Sequence, residues 1–438
     1  MSANQHYAEF IASTRFADVP DNAYSTIERA FADTVGVMVA GDDDPSVQAL
    51  RAVASSTGKE AVDRALVWGT AAHALDYDDV AFSCHASAVL VPAILAVADA
   101  LGSSGEDMAL AYAKGFEVLA DAALRGGALH EKGWHPTSVI GIFGATAAAC
   151  SLYKATAEQS QNALAIAASL ASGLVINFCS MTKPLHAGLA ASRGIFAAQL
   201  AINGMTGTHS ALDSESGFFQ VYSRSAPRSI PLNLGKDWRI LLDGPGIKRY
   251  PICYASHRST DTVIDLVRNN NLTVESIASI EIGMGRGQID VLACSHPKTV
   301  SEARFSAQFA IACALRFGRV GMSELTLPVI LDDETQALYE LVNLSARDDV
   351  DAKNPVFSQA ENITIRLKDG RILESGEIQY AKGSSKNPLT DQEVWEKFSS
   401  CVEARINSVD TRRFFEAASR IKQFPTICQM IGQPTREK

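Results

Sequence analysis

The chain has 438 residues, with 39 Lys and Arg against 49 Asp and Glu and a formal net charge of −10. That acidic balance excludes a nucleic-acid backbone as the main partner, because phosphate binding requires a basic face; an anionic small molecule in a local cationic pocket stays open. With 47% hydrophobic and 20% charged residues, the chain has ample apolar material for a core, and a wholly disordered protein is excluded.

The first ~240 residues read as successive helices by apolar periodicity. Pro20-Asp21 opens a segment in which Ile27, Phe31, Val35 and Met38 form one apolar stripe. Leu90 to Leu101 is Ala-rich and ends at Gly102, a residue suited to the left-handed turn after a helix. Glu106 to Arg125 and Ser138 to Tyr153 follow. Thr156 and Gln159 make a T-x-x-Q capping box ahead of Asn162 to Leu170. A further helix is expected from Ala187 to Ile202, ending at Asn203-Gly204.

The texture changes near residue 235, where Asp243-Gly244-Pro245-Gly246 supplies turn signals. Strand alternation then appears at Ser279 to Met284 and at Asn362 to Lys368, the latter followed by the hairpin pair Asp369-Gly370 and by Arg371 to Ile378. Helical patterns lie between them at Ser259 to Arg268, Glu302 to Phe317 and Glu334 to Asn343. This region is expected to mix helices with antiparallel strands. Thr390 and Glu393 form a second capping box, opening a helix to about Ile406, and Thr411 to Ile421 is also helical. A helical tail after an α+β insert is expected to pack back on the first domain.

Neither a membrane span nor a leader is expected. The longest apolar run, Ala88 to Ala98, holds Pro92 and stops at Asp99, well short of the about 20 residues a spanning helix needs. Glu9 and Asp18 stand where a basic-then-apolar leader would be. Eight cysteines occur without a C-x-x-C pair, so Cys84, Cys150, Cys179, Cys253, Cys294, Cys313, Cys401 and Cys428 are expected as reduced thiols of a cytoplasmic protein.

Candidate chemistry starts with the histidines. His85, His135, His186 and His257 stand at loop-to-helix junctions. Helix N-termini carry partial positive charge and free N–H groups that suit a carboxylate ligand. Lys183 lies three residues before His186, and Lys248-Arg249 precede His257. His6, His73, His130, His209 and His296 are expected as hydrogen-bonded or capping residues. The cluster Asp76-Tyr77-Asp78-Asp79 is either a solvated turn or functional; a carboxylate beside another can carry a proton near neutral pH. If helical, it would place Asp76 and Asp79 on one face with Asp78 pointing away. An Asp cluster can also bind a divalent cation, but no EF-hand loop or H-E-x-x-H occurs and no metal is expected. Gly283-Met284-Gly285-Arg286-Gly287 lacks the G-x-G-x-x-G spacing of a dinucleotide site, and no P-loop is present.

Taken in order, His73-Ala74-Leu75-Asp76-Tyr77-Asp78-Asp79, His85, Gly133-Trp134-His135-Pro136-Thr137-Ser138, Met181-Thr182-Lys183-Pro184-Leu185-His186-Ala187-Gly188, and Lys248-Arg249-Tyr250-Pro251 with His257 resemble the MmgE/PrpD family. That family contains 2-methylcitrate dehydratases, cis-aconitate decarboxylases and an iminodisuccinate epimerase. The resemblance implies a mainly α fold: a large helical domain built from residues 1–247 and 386–438, with a smaller α+β lid domain, residues 248–385, inserted between them. It implies a homodimer, no organic cofactor, and a small di- or tricarboxylate as substrate. It implies Asp76, His85, His135, Lys183 and His257 as catalytic, and Lys248, Arg249, Tyr250 and His186 as substrate-binding.

The expected reaction is a cofactor-independent lyase step, a dehydration begun by proton abstraction beside a carboxylate. His135 and His85 are the expected acid/base pair, Asp76 an orienter or proton carrier. Lys183 and His257 would bind carboxylates and the developing negative charge. Val80, Ala86 and Phe309 depart from the residues common in the decarboxylases, which turns the expectation away from cis-aconitate. An epimerase, a decarboxylase, a catalytically retired binding protein and a metal-dependent hydrolase are the alternatives.

Overall fold

The computed structural model describes residues 2–54, 60–127, 129–224, 233–352, 354 and 356–423; Cys428 lies outside them. The chain divides into two compact units, Met1–Ile247 with Thr390–Lys438, and Lys248–Leu389.

The first unit is helical. The helix Asp21–Gly41 starts directly after Pro20 and buries Ile27, Phe31, Val35 and Met38, the stripe read from spacing. The helix Ala86–Leu101 buries every residue from Ala86 to Ala98 and ends at Gly102 with φ of 65°. Its apolar character on all sides is that of an interior helix. Both capping boxes form as their spacing predicts, Thr156 with Gln159 ahead of the helix Ala157–Leu170, and Thr390 with Glu393 ahead of Asp391–Val402. The latter helix packs on Asp21–Gly41. The last described helix runs Ser408–Ser419.

One helix starts earlier than its sequence suggests. It runs Thr182–Ile202, so Lys183 and His186 lie inside its first turns instead of before it. Pro184 reads as a breaker, yet a proline in the first turn removes an N–H that has no intrahelical partner. This helix crosses Ala61–Ala74 at two glycines. A Cβ on Gly188 would lie 2.2 Å from the Leu66 carbonyl oxygen, and one on Gly69 would lie 2.8 Å from the Gly188 Cα. Backbone contact at that crossing brings the start of one helix beside the end of the other.

In the second unit, β1 (Ile277–Gly285), β2 (Val342–Arg347), β3 (Asn362–Leu367) and β4 (Ile372–Glu374) form one sheet in the order β2-β1-β3-β4. Ile282 faces Ile363 across the antiparallel β1–β3 pair, and Ile365 faces Leu373 across the β3–β4 hairpin. β2 corrects the expectation of an all-antiparallel set. It pairs with β1 in parallel, Ile280 opposite Val342, and the helix Asp333–Tyr339 stops before it. A parallel partner is reached only by a long crossover, and no local pattern signals it. Ile280, Ile282 and Met284 share an apolar cluster with Phe309 and Ile311 of the helix Ala307–Phe317.

No described helix is long and apolar enough to cross a membrane. Cys84, Cys150, Cys313 and Cys401 are buried, where desolvation pushes their thiols up, Cys150 and Cys401 to about 12.

Candidate active site

The helix Ala61–Ala74 ends with His73 in its last turn. The chain then turns sharply, with Asp76 at φ of 51°, a left-handed conformation uncommon outside glycine. The cluster is therefore a turn, not a helix, and its three carboxylates part company. Asp76 Oδ1 lies 2.6 Å from Lys183 Nζ. Asp78, fully buried, faces two imidazoles: His73 Nδ1 lies 3.0 Å from each carboxylate oxygen, and His85 Nδ1 lies 2.9 Å from Oδ2. Asp79 turns inward and caps the helix Ala86–Leu101, accepting from the Ser87 N–H at 3.0 Å and from the Ser87 hydroxyl, which also meets Tyr112 Oη at 2.7 Å. Between them, the Tyr77 carbonyl accepts from Lys397 Nζ at 2.6 Å, and the same ammonium pairs with Asp33 at 2.6 Å. Asp76 and Asp79 do not share a face as a helical reading would have it.

The loop after the turn is pinned at both ends. Val80 pairs with Gly246, and Ala81 pairs with Cys84 across the left-handed residues Phe82 and Ser83. That hairpin delivers His85 to the N-cap of the helix Ala86–Leu101, where its N–H donates to Thr137 Oγ1 at 3.1 Å. His85 Nε2 stands 3.7 Å from Asp76 Oδ1. The rings of His73 and His85 lie 4.2 Å apart, and those of His73 and His135 lie 5.9 Å apart.

His135 is the N-cap of the short helix Pro136–Val139. Its N–H donates to the carbonyl of Gly173 at 3.0 Å. Gly173 has φ of +134°, and a Cβ there would meet Ser138 at 2.9 Å, so no other residue sits there without strain. His135 Nδ1 and His186 Nδ1 lie 3.0 Å apart, close enough to share a single proton. Phe178 presents its ring to His135 at 4.8 Å and lies 5.3 Å from Lys183 Nζ.

Burial controls the charges. It lowers His73 to about 3, aided by Lys183 and His85 and opposed by Asp78. It holds His135 well below the ordinary histidine range, with His73, Lys183 and His186 adding repulsion, and lowers His186 to about 4. These three imidazoles are neutral near pH 7. Asp78 is fully buried, yet the two imidazoles overcome desolvation and hold its carboxyl well below the usual range. Desolvation instead raises Asp79 to about 7.

The structure thus brings Asp76, His85, His135, Lys183 and His186 together. Two members escape sequence reasoning. His73 carries only the default expectation of a hydrogen-bonded histidine, and Asp78 is read as the carboxylate that points away from Asp76 and Asp79. The signal available is the H-x-x-D-x-D spacing across a helix end. Lys248, Arg249, Tyr250 and His257 belong to the second unit. There, Tyr250 Oη donates to Asp261 at 2.7 Å and Arg249 Nη1 at 3.2 Å. Lys248 is fully buried, and His257 Nε2 lies 3.2 Å from the Ile252 carbonyl.

Ligand atoms of His73, Asp76, Asp78 and His85 all lie within 4.8 Å of one another, a donor set able to meet a divalent cation. The Lys183 ammonium already supplies positive charge to Asp76 at 2.6 Å, and both Nδ1 atoms are turned to Asp78.

The protein is therefore mainly helical, with a small mixed sheet in a separate unit and a buried nest of imidazoles, carboxylates and one ammonium in the helical one. Residues 5–230 match the MmgE/PrpD N-terminal domain and residues 250–423 the MmgE/PrpD C-terminal domain; the chain belongs to the MmgE/PrpD family. A human relative named cis-aconitate decarboxylase is 29% identical over 352 residues, 76% of this chain and 71% of that protein. The mouse protein of the same name is 29% identical over 354 residues, 76% and 70% of the two chains. A cis-aconitate decarboxylase-like protein of Aspergillus oryzae is 24% identical over 396 residues, 84% and 81% of the two chains.

Proposed function

We propose that this protein is a lyase acting on a small di- or tricarboxylate, with proton transfer at the carbon beside a carboxylate and no organic cofactor. The observation that carries the reading is the placement of Lys183 on Asp76 with imidazoles on either side of His73 (His85 at a ring distance of 4.2 Å and His135 at 5.9 Å). Abstraction of a proton beside a carboxylate builds a second negative charge on that group. A fixed ammonium in a dry site stabilises that charge far more than in water. His135 is neutral and is the base. An anionic substrate favours its protonated form as it takes the proton, because opposite charge nearby offsets desolvation. His85, flanked by Asp76 and Asp78, is the acid.

In the first reading the substrate bears a hydroxyl on the neighbouring carbon. The C–H bond breaks to His135 and its electron pair forms the C=C bond. The C–O bond breaks as His85 gives its proton to the leaving hydroxyl, and water departs. A second reading is favoured by the names of the relatives. There a C–C bond breaks, CO₂ leaves, the electron pair spreads onto the remaining unsaturated acid, and the acid group protonates it. Lys248, Arg249, Tyr250 and His257 are assigned to substrate carboxylates on the family pattern alone, and K248M and H257A variants test them singly.

The deciding experiment follows a panel of citrate-like, aconitate-like and aspartate-like acids with the protein in D₂O by NMR. Loss of hydroxyl with a new olefinic signal identifies the hydro-lyase. Bicarbonate release with deuterium gained identifies the carboxy-lyase. Exchange alone identifies an epimerase. Absence of any change across the panel, or equal turnover by His135→Ala and the parent protein, overturns the reading.

A further inference from the structure

Asp78 is the one carboxylate of the turn that touches no cation side chain and caps no helix. It meets His73 Nδ1 in hydrogen-bond geometry at 3.0 Å, and His85 Nδ1 stands 2.9 Å from its Oδ2 out of hydrogen-bond alignment, a distance at which a bare nitrogen would set its lone pair against the carboxylate oxygen. An ionised carboxylate only accepts hydrogen bonds. Both Nδ1 atoms must therefore carry protons: the neutral His73 ring is left with a bare Nε2, and His85 takes and gives its working proton at Nε2, holding it there as the imidazolium when it serves as the acid. In His85 that nitrogen is the one 3.7 Å from Asp76 Oδ1, which also meets the Lys183 ammonium. In His73 it is buried, with no hydrogen-bond partner among the described residues. One carboxylate thus sets the tautomer of two rings at once.

We infer that Asp78 is a positioning residue that fixes His85 as the Nδ1–H tautomer, so that Nε2 alone exchanges protons with substrate, and that His73 is a second clamp holding Asp78 in place. This rests on the acid/base assignment of His85 above. The physical logic is that of any carboxylate-held imidazole. The carboxylate does not take the proton itself; it decides which nitrogen presents it and stabilises the imidazolium when it forms. His73 serves because a neutral imidazole supplies a hydrogen bond without cancelling the carboxylate charge that His85 needs. An arginine there would satisfy Asp78 and leave His85 less support.

Two measurements separate this from a purely structural role. The first needs no substrate: ¹⁵N spectra of protein labelled at histidine, with His85 assigned by a His85→Gln variant. The expected result is a protonated Nδ1 on His85 in the wild-type protein; a bare Nδ1 with a protonated Nε2 overturns the inference. The second is turnover by Asp78→Leu, a replacement of similar size with no acceptor, using the acid that the deuterium panel selects. A loss of about 100-fold or more in kcat with KM within about threefold is expected, since partners that orient a working imidazole typically matter at that scale. A kcat within threefold of wild type overturns the inference. If Asp78→Leu fails to fold, the wild-type spectrum decides alone. A His85→Ala variant at full activity would instead defeat the acid assignment and leave the tautomer result standing.

Discussion

Asp78 in the first unit and Asp261 in the second are both carboxylates drawn out of water, and both hold two side chains. Asp261 accepts from Tyr250 Oη, Arg249 and the Lys382 N–H at 2.7, 3.2 and 2.8 Å. Its partners are a phenol, a guanidinium and a backbone amide, none of which gives up a proton near neutral pH. Burial raises the Asp261 carboxyl, while two imidazoles drive Asp78 the other way. Asp261 ties a strand-flanking loop to a helix and ends there. Asp78 hands its influence on, because each imidazole has a second nitrogen. Burial and charge count do not separate a structural carboxylate from a chemical one; the proton inventory of its partners does.

The largest effect is expected at the ammonium beside Asp76. Lys183→Met removes the cation that meets the developing charge, and kcat/KM is expected to fall about 10³-fold, the scale of losing one preorganised donor. Asp261→Asn is expected to leave kcat within about tenfold while lowering the melting temperature by several degrees. Steady-state kinetics on Asp261→Asn beside Asp78→Leu tests the contrast. Equal losses in kcat would erase the distinction between the two carboxylates. A rise in KM alone for Asp261→Asn would sharpen it, by placing Arg249 and Tyr250 on the substrate.

The next effect concerns stability. Lys397 Nζ pairs with Asp33, donates to the Tyr77 carbonyl, and lies 4.1 Å from the Tyr77 ring centre. Both Lys397 and Asp33 are buried. Lys397→Met leaves Asp33 buried without the cation that opposes its desolvation, and breaking one side of a buried pair costs on the order of 3–5 kcal/mol. Urea unfolding is expected to show that loss, and Asp33→Leu added to Lys397→Met is expected to recover much of it. A double variant no better than the single would mean that Lys397 matters chiefly through the Tyr77 carbonyl, and so through the turn that aims Asp76 and Asp78.

That pair also marks where sequence reading stops. Helices with a stripe and a cap were legible: Ile27 to Met38, Thr156 with Gln159, and Thr390 with Glu393 each state a local preference that the fold keeps. So were β1 and β3, whose alternation shows which face is buried. β2 was not, because its parallel partner lies beyond several helices. Pro184 hid the true start of its helix. Lys397 stands 320 residues from the carbonyl it holds, and no spacing rule reaches that far. His73 gained its place only when Gly69 and Gly188 let two backbones touch. Local patterns reveal elements; which polar groups meet is decided by how closely those elements approach.

A smaller and gradual effect is expected from pH. His73, His135 and His186 are held neutral in the fold, their ordinary value of 6.5 pushed down to about 3, well below the usual range, and about 4. Below pH 6.5 the unfolded chain binds protons that the folded chain refuses, so stability falls with pH, down to about 4. Asp79 acts from the other side. Burial raises it to about 7, so its contribution is present at low pH and is lost as pH rises through 7. Thermal melts are expected to rise from about pH 4 to about 6.5, with Asp79 opposing the histidines over the same range, and to level off above about 7, and His186→Gln to flatten the acid side. An acid side unchanged by that substitution would show that the His135–His186 pair carries no such penalty.

Chelation is expected to do least. His73, Asp76, Asp78 and His85 place donor atoms within 4.8 Å of one another, as a divalent ion would require. A metal there would have to displace the Lys183 ammonium from Asp76, and at Asp78 it would compete with the two Nδ1–H groups turned to that carboxylate. The same positive charge cannot be supplied twice at one carboxylate without strong repulsion. Turnover is therefore expected to be unchanged after dialysis against a strong chelator, and excess Zn²⁺ to inhibit by competing for the imidazoles. Activity lost to the chelator and restored by one divalent ion would reassign the four-residue nest as a metal centre, and Asp78 would then be a ligand instead of the group that sets which nitrogen of His85 works.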